Sequence, residues 1–257
     1  MKTIKLITLL CFTLSLSAQN TSEKRNQLSL MYGFSAGQCK DLSYSPLSYD
    51  FGGIQSELRF QHYTRRGHIL HFEIQGWTGT LDYDPYESFE TQLLGAEFKA
   101  QWLGKLGEAS GCTLYVGPRY KLSSQMINWE DDYELSSAYS FLSTSNLGVT
   151  ARIEYAYQKW NFLAEASLPL IASNSRPAYS GFTDDDSEEI LNFLFNDAEW
   201  QGPGTYFAPE LGLQASYQIF NWADVTAKYE GAYTQLNDAE KIAFATHQFM
   251  FGLNFKF

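Results

Sequence analysis

The chain has 257 residues, with 18 Lys and Arg against 29 Asp and Glu, a net charge of −11. That balance excludes the basic footprint of a nucleic-acid-binding protein and suits a solvated acidic surface. Only three cysteines are present, too few for a disulfide scaffold.

Residues 1–18 read as an export signal. Lys2 and Lys5 supply a positive start, Ile4 to Leu16 is almost wholly apolar, and Ser15, Ser17 and Ala18 are small residues suited to cleavage. Cleavage is expected near Ala18–Gln19, leaving 19–257 as one domain. Cys11 follows Leu9-Leu10 inside the apolar run, with no small residue before it, which argues against lipidation there. Nothing after the signal approaches the ~18 consecutive apolar residues of a spanning helix.

Beyond the signal the chain alternates apolar and polar residues, the period of strands. The first segment puts Leu28, Leu30, Tyr32 and Phe34 on one parity. The second sets Ile54, Leu58 and Phe60 against Gln55, Glu57, Arg59 and Gln61. The third sets Leu70, Phe72 and Ile74 against His71, Glu73 and Gln75, and the fourth sets Leu94, Ala96, Phe98, Ala100 and Trp102 against Glu97, Lys99 and Gln101. The fifth carries Leu114, Val116, Tyr120 and Leu122 opposite Arg119 and Lys121, with Pro118 expected to mark a bulge. The sixth and seventh carry Leu147 to Tyr155 and Trp160 to Leu170 at alternate positions. An eighth spans Phe207 to Tyr217, with Glu210 and Gln214 on its polar side. The ninth holds Val225, Ala227, Tyr229 and Tyr233 around Lys228 and Glu230, and the last holds Phe249, Phe251, Leu253, Phe255 and Phe257.

Gaps near 65–68, 104–111, 156–159 and 219–223 are short. Those near 37–52, 82–90, 124–144, 173–204 and 234–243 are mostly longer. Alternating apolar segments joined by short turns at one end and long loops at the other are the signature of a transmembrane barrel. The predicted fold is all-β: a closed antiparallel transmembrane β-barrel of about ten strands, within roughly eight to twelve, with short periplasmic turns and long extracellular loops. Trp102, Tyr155, Tyr157, Trp160, Trp222 and Phe255 then gather near the turn end, where aromatic rings favour the hydrocarbon–water boundary. Cys39 and Cys112 fall at opposite ends, so no bridge is expected between them.

The chain ends Met250-Phe251-Gly252-Leu253-Asn254-Phe255-Lys256-Phe257. Gly252, Phe255 and Phe257 match the C-terminal insertion signal of bacterial outer-membrane barrels, while Met250 stands where a polar residue is usual. Together with the alternation, the chain resembles the small, OmpA-like or ten-stranded class of outer-membrane β-barrel proteins. The resemblance implies a Gram-negative outer-membrane location, contact with outer-membrane lipid, and recognition of the last strand by the barrel-assembly machinery.

The inferred inner face carries Glu57, Glu73, Glu97, Glu154, Glu165, Glu210 and Glu230 against Arg59, Lys99, Arg119, Lys121, Arg152, Lys228 and Lys256. A matched interior points to charges that satisfy one another. Open aqueous channels belong to barrels of about 16–18 strands, so a lumen filled by a paired network is expected rather than a wide pore.

The predicted loops are acidic. Asp82, Asp84, Glu87 and Glu90 lie in one, Glu130, Asp131, Asp132 and Glu134 in another, and Asp184, Asp185, Asp186, Glu188, Glu189, Asp197 and Glu199 in the longest. Carboxylate clusters hold hard cations, which makes Asp184, Asp185 and Asp186 weak metal candidates. Their spacing does not match an EF-hand loop. Residues 187–197 fit a short capped helix whose Ile190, Leu191, Phe193, Leu194 and Phe195 must be covered.

Enzymatic readings find little support. Some ten-stranded barrels are proteases with an acidic pair facing an Asp–His pair, and Asp82 with Asp84 resembles the first. The histidines are His62, His68, His71 and His247, none in a long loop. No His-x-Ser places a nucleophile beside its base on a strand. The expected function is a non-enzymatic, cofactor-free outer-membrane barrel whose loops display or bind something outside the cell. A narrow solute channel is the second reading, and a barrel enzyme acting on lipid or peptide the third.

Overall fold

The computed structural model describes residues 24–42, 47–82, 91–129, 138–176, 199–237 and 241–257. The regular elements among them are all strands: β1 (Asn26–Asp41), β2 (Tyr49–Tyr63), β3 (Ile69–Asp82), β4 (Thr91–Ala109), β5 (Cys112–Trp129), β6 (Ala138–Tyr157), β7 (Trp160–Ser175), β8 (Glu199–Gln201), β9 (Tyr206–Phe207), β10 (Glu210–Phe220), β11 (Ala223–Leu236) and β12 (Ile242–Lys256). Each long strand pairs antiparallel with its sequence neighbours. β12 returns to β1, and β10 bridges β7 and β11, so ten strands close on themselves. Closure removes the edges that an open sheet would offer to other chains. The export signal, the capped helix and most loop acids, among them Asp84, Asp131 and Asp184 to Asp186, lie outside the described residues.

The parity read from the sequence is the parity of the wall. Leu30, Phe34 and Phe251 are each 60% exposed, whereas Met31 and Glu57 on the other parity are 1% exposed. Large apolar groups left outside, with charges inside, invert the arrangement of a soluble protein. They are the arrangement of a wall standing in hydrocarbon.

The inversion stops partway up. On β1 the outward residues Leu30, Tyr32 and Phe34 give way to Gln38 and Lys40, while Cys39 inside is buried. On β3, Phe72 and Ile74 give way to Thr78, Thr80 and Asp82 outside, with Leu81 buried inside. Gln38 donates from Nε2 to Oδ1 of Asp50 at 2.9 Å on the outer face of this region. Below that level the wall is built for lipid; above it, the wall is built for water. A strand needs only ~9–11 residues to cross, and β4 has 19 and β6 has 20, so the barrel overhangs the apolar band at its loop end.

Several local expectations change. The 104–111 segment is strand: β4 runs to Ala109 and turns through Ser110 and Gly111, both at positive φ (52° and 79°). That is the primed geometry a two-residue hairpin needs to match strand twist. Likewise β5 extends to Trp129 and β6 begins at Ala138, so 124–129 and 138–144 are strand and not loop. Pro118 makes no bulge. The β4–β5 ladder skips Trp102 and Leu103 beside it, yet Gln101↔Arg119 and Gly104↔Val116 keep one register. A missing N–H removes a bond without adding a residue. The bulges lie at Lys105/Gly107, Leu147/Gly148 and Gln218/Phe220. Phe207 is not part of the eighth long strand. It belongs to β9, which pairs only with the loop end of β11.

The aromatic groups at the turn end form ring contacts on the outer surface. Trp222 stacks on Phe220 at 5.4 Å and on Phe255 at 6.1 Å, and Trp160 meets Tyr217 at 4.9 Å. With the band bounded this way, Leu30→Arg is expected to cost about 2–4 kcal/mol and Gln38→Arg less than ~1 kcal/mol. Equilibrium unfolding by denaturant in lipid vesicles measures both. Equal costs would show that the band does not end between these two positions.

Candidate functional site

Alternation sends every second side chain into the narrow interior of the barrel, so the lumen is where charged groups concentrate. The structure places Glu57, Arg59, Glu73, Glu97, Lys99, Arg119, Lys121, Arg152, Glu154, Glu165, Glu210, Lys228 and Glu230 on inward positions and brings them into one network. Lys99 on β4 meets Glu230 on β11 at 2.5 Å. Those two strands face each other across the full diameter, five steps apart in either direction round the barrel. Arg119 on β5 reaches Glu210 on β10 at 2.6 Å, and Lys121 joins the same carboxylate at 2.7 Å. Lys228 on β11 reaches Glu57 on β2 at 2.7 Å and Glu73 on β3 at 3.3 Å.

A second group lies toward the turn end. Arg152 pairs with Glu165 at 2.6 Å and donates to Nδ1 of His71 at 2.9 Å. Gln101 donates to Glu165 at 2.9 Å, and the Tyr63 hydroxyl donates to Glu154 at 3.2 Å. Neutral amides complete the set: Arg59 donates to Oε1 of Gln214 at 2.6 Å, and Gln75 donates to Glu57 at 3.1 Å. Charges withdrawn from water are costly unless paired and hydrogen-bonded; here some are paired across the bore, as Lys99 with Glu230, and others between neighbouring strands, as Arg152 with Glu165.

Glu57, Glu73 and Glu230 bring carboxylate oxygens within 4.8 Å of one another. Three acids so close have the makings of a hard-cation cage. Here Lys228 already holds all three, at 2.7, 3.3 and 2.7 Å. The ammonium takes the role a metal would fill.

Sequence reasoning missed three parts of the lumen. Asp224 is buried and pairs with Lys256 at 2.7 Å; it stands between the predicted 219–223 turn and the first strand residue read, Val225, although its parity with Lys228 marks it as inward. Asp41, assigned to a loop, is a buried inward residue that pairs with Arg176 and accepts from the Ser140 hydroxyl at 3.1 Å. The third part is apolar. Cys39, Phe51, Leu81, Leu93, Ile127, Leu142, Leu236, Ile242 and Phe244 form a core inside the loop end, joined by Tyr206 and Ala208. A smaller cluster of Ile69, Leu103 and Tyr115, with Tyr63 against it, fills part of the turn end. The lumen is therefore layered, apolar above and below a charged middle, rather than polar throughout.

The remaining histidines make separate local contacts. His62 lies by Asn26 at 2.8 Å, His68 accepts from the Lys105 backbone N–H at 3.2 Å, and His247 bonds the Tyr229 hydroxyl at 2.8 Å on the outer face. Among the described residues no histidine pairs with an aspartate, and Asp82 is exposed at the end of β3. Gly252 and Phe255 lie on β12, and Phe257 comes just after it, exchanging backbone bonds of 2.9 Å with Asn26 where the barrel closes. Cys39 and Cys112 are free and sit at opposite ends.

Removing one member of the middle layer leaves a buried partner short of a counter-charge: Arg119 pairs with Glu210, whereas Lys121 also holds Glu97 at 2.5 Å. Glu210→Ala leaves Arg119 and Lys121 without their shared acceptor and is expected to cost about 3–5 kcal/mol. Glu108→Ala, at an exposed pair with Lys105, is expected to leave the unfolding midpoint unchanged. Denaturant unfolding in detergent micelles compares the two.

No protein-family model and no curated protein matches the chain. Solved structures do. The outer membrane protease OmpT from Escherichia coli aligns with a TM-score of 0.62 at 12% identity, over 93% of this chain and 99% of that one. The translocator domain of autotransporter NalP from Neisseria meningitidis aligns with a TM-score of 0.50 at 11% identity, over 99% of this chain and 96% of that one. One is a protease and the other a translocator, so the likeness carries architecture and not activity. The chain has the closed ten-stranded barrel fold of bacterial outer-membrane proteins.

Proposed function

We propose that this chain is a non-enzymatic outer-membrane barrel with a closed lumen, whose overhanging loop end faces outward to bind or shield something outside the cell. The Lys99–Glu230 pair carries the reading. Two side chains that meet at 2.5 Å from opposite walls support a bore obstructed at their level. The acidic composition of the long loops supports an outward, solvated face, and the turns and both termini share the other end. The runner-up is a narrow solute channel. Its support is two small cavities in the lumen, of about 30 and 70 Å³.

Conductance separates the two. Purified protein in planar bilayers is expected to show no stable porin-sized steps, and the double variant Lys99→Ala/Glu230→Ala is expected to leak more than the parent. Stable open steps from the unaltered protein would refute the sealed lumen. Orientation is read on intact cells. An epitope inserted after Ser187 is expected to bind antibody directly, and one inserted at Ser110-Gly111 only after the outer membrane is permeabilised. The reverse pattern would overturn the outward placement of the acidic end.

A further inference from the structure

The larger of the two cavities lies between the charged layer and the apolar core of the loop end. It measures about 70 Å³. One water needs roughly 10–15 Å³ by the same measure, so the space holds about five waters, or about 150 Å³ of liquid.

Its floor is Glu97, Lys121 and Glu230. Those charges are already matched: Lys121 meets Glu97 at 2.5 Å, and Glu230 is held by Lys99 at 2.5 Å and Lys228 at 2.7 Å. The floor therefore offers nothing to a charged guest. The upper lining is Phe51, Trp77, Leu93, Leu142, Tyr206 and Phe244, and neutral polar groups such as Ser123, Gln125, Thr144, Thr246 and Gln248 ring the middle. Oε1 of Gln248 has no hydrogen-bond partner. Trp77 lies across β4 because position 95 is glycine. A Cβ there would stand 2.0 Å from its ring.

The wall beside this chamber is not continuous sheet. Tyr206 opens β9, and among the described residues no ladder joins β8 to β9; the two are linked by a turn in which the Tyr206 N–H donates to the Gly202 carbonyl at 2.9 Å. β9 is held to β11 by two residue pairs, Gln235↔Phe207 and Leu236↔Tyr206. On the outside of this seam Trp200 is 71% and Phe207 41% exposed, an apolar approach at the upper edge of the lipid-facing band.

We propose that this chamber binds one small neutral ring compound bearing a hydroxyl, of phenol type, entering at the β8–β9 seam. The aromatic lining takes the ring face. The amide and hydroxyl groups, Gln248 foremost, take the single hydroxyl. A polyhydroxylated ring is disfavoured, because hydroxyls turned toward the apolar roof would be buried without partners. The inference deepens the proposed binding role and rests on the sealed lumen only for the chamber's isolation.

Saturation-transfer NMR with phenol on the purified full-length protein in detergent micelles tests it. Saturable transfer is expected, weakened at least about tenfold by Thr144→Leu, which fills the chamber, and by Gly95→Ala, which displaces Trp77. Folding of each variant is checked by heat-modifiable gel mobility, and the two substitutions act from different walls, so either one suffices. Transfer that does not saturate, or that is the same in a folded variant as in the parent, overturns the proposal. So does glucose saturating the site as tightly as phenol. Conductance is read separately: a conducting barrel that binds phenol saturably loses its seal and keeps its chamber, and a closed barrel without saturable phenol binding does the reverse.

Discussion

A charge placed inside a narrow barrel finds little water, and the charges here are held chiefly by one another. The bore is slim enough that the partner can stand on the opposite wall. Lys99 with Glu230 spans the full diameter, and Arg119 with Glu210 and Lys228 with Glu57 cross shorter chords at nearly the same level. Cross-bore bonds tie strands that share no ladder, so the layer braces the cylinder. Replacing such ion pairs by packed apolar groups is often neutral or stabilising. Charge is retained here where lipid outside forbids polar groups on the other parity.

The second constraint is the change of solvent along each strand. In hydrocarbon the outward parity must be apolar, and the inward parity is free to be charged. Above the band, water bathes the outside, and the inward parity supplies an ordinary apolar core. Phe51 and Glu57 point the same way from β2, and they differ in height. The barrel is thus a membrane protein at its turn end and a soluble β-barrel at its loop end, joined without a break in the strands. The small chamber sits where those two interiors meet, which gives it a charged floor and an aromatic roof.

Much of this was legible in the residues. The lumen charges came from parity alone, because a period of two admits only two faces and lipid selects one of them. The inward place of His71 and the aromatic belt at the turn end came from the same register. The behaviour near strand ends escaped. Asp41 lies in a stretch whose composition reads as loop, and Asp224 at the edge of one that reads as turn; short-range pattern cannot tell an overhanging strand from a loop. The apolar core of Cys39, Leu81 and Phe244 escaped for a related reason: its parity is the inward one, and a uniform polar-in rule assigns it wrongly once the solvent outside changes.

The sequence by itself determined the ten long strands in outline, their parity, the closed barrel as the architecture that satisfies alternating segments beside lipid, and most of the charges that share the interior. Only the tertiary structure decided which charge meets which, because pairs such as Lys99 and Glu230 are 131 residues apart and meet only when the tenth strand closes on the first. It also decided where the lipid-facing wall ends and that a chamber remains above the charged layer. Both depend on the height of each residue in the closed cylinder, a quantity set by strand register and closure rather than by any local run of residues.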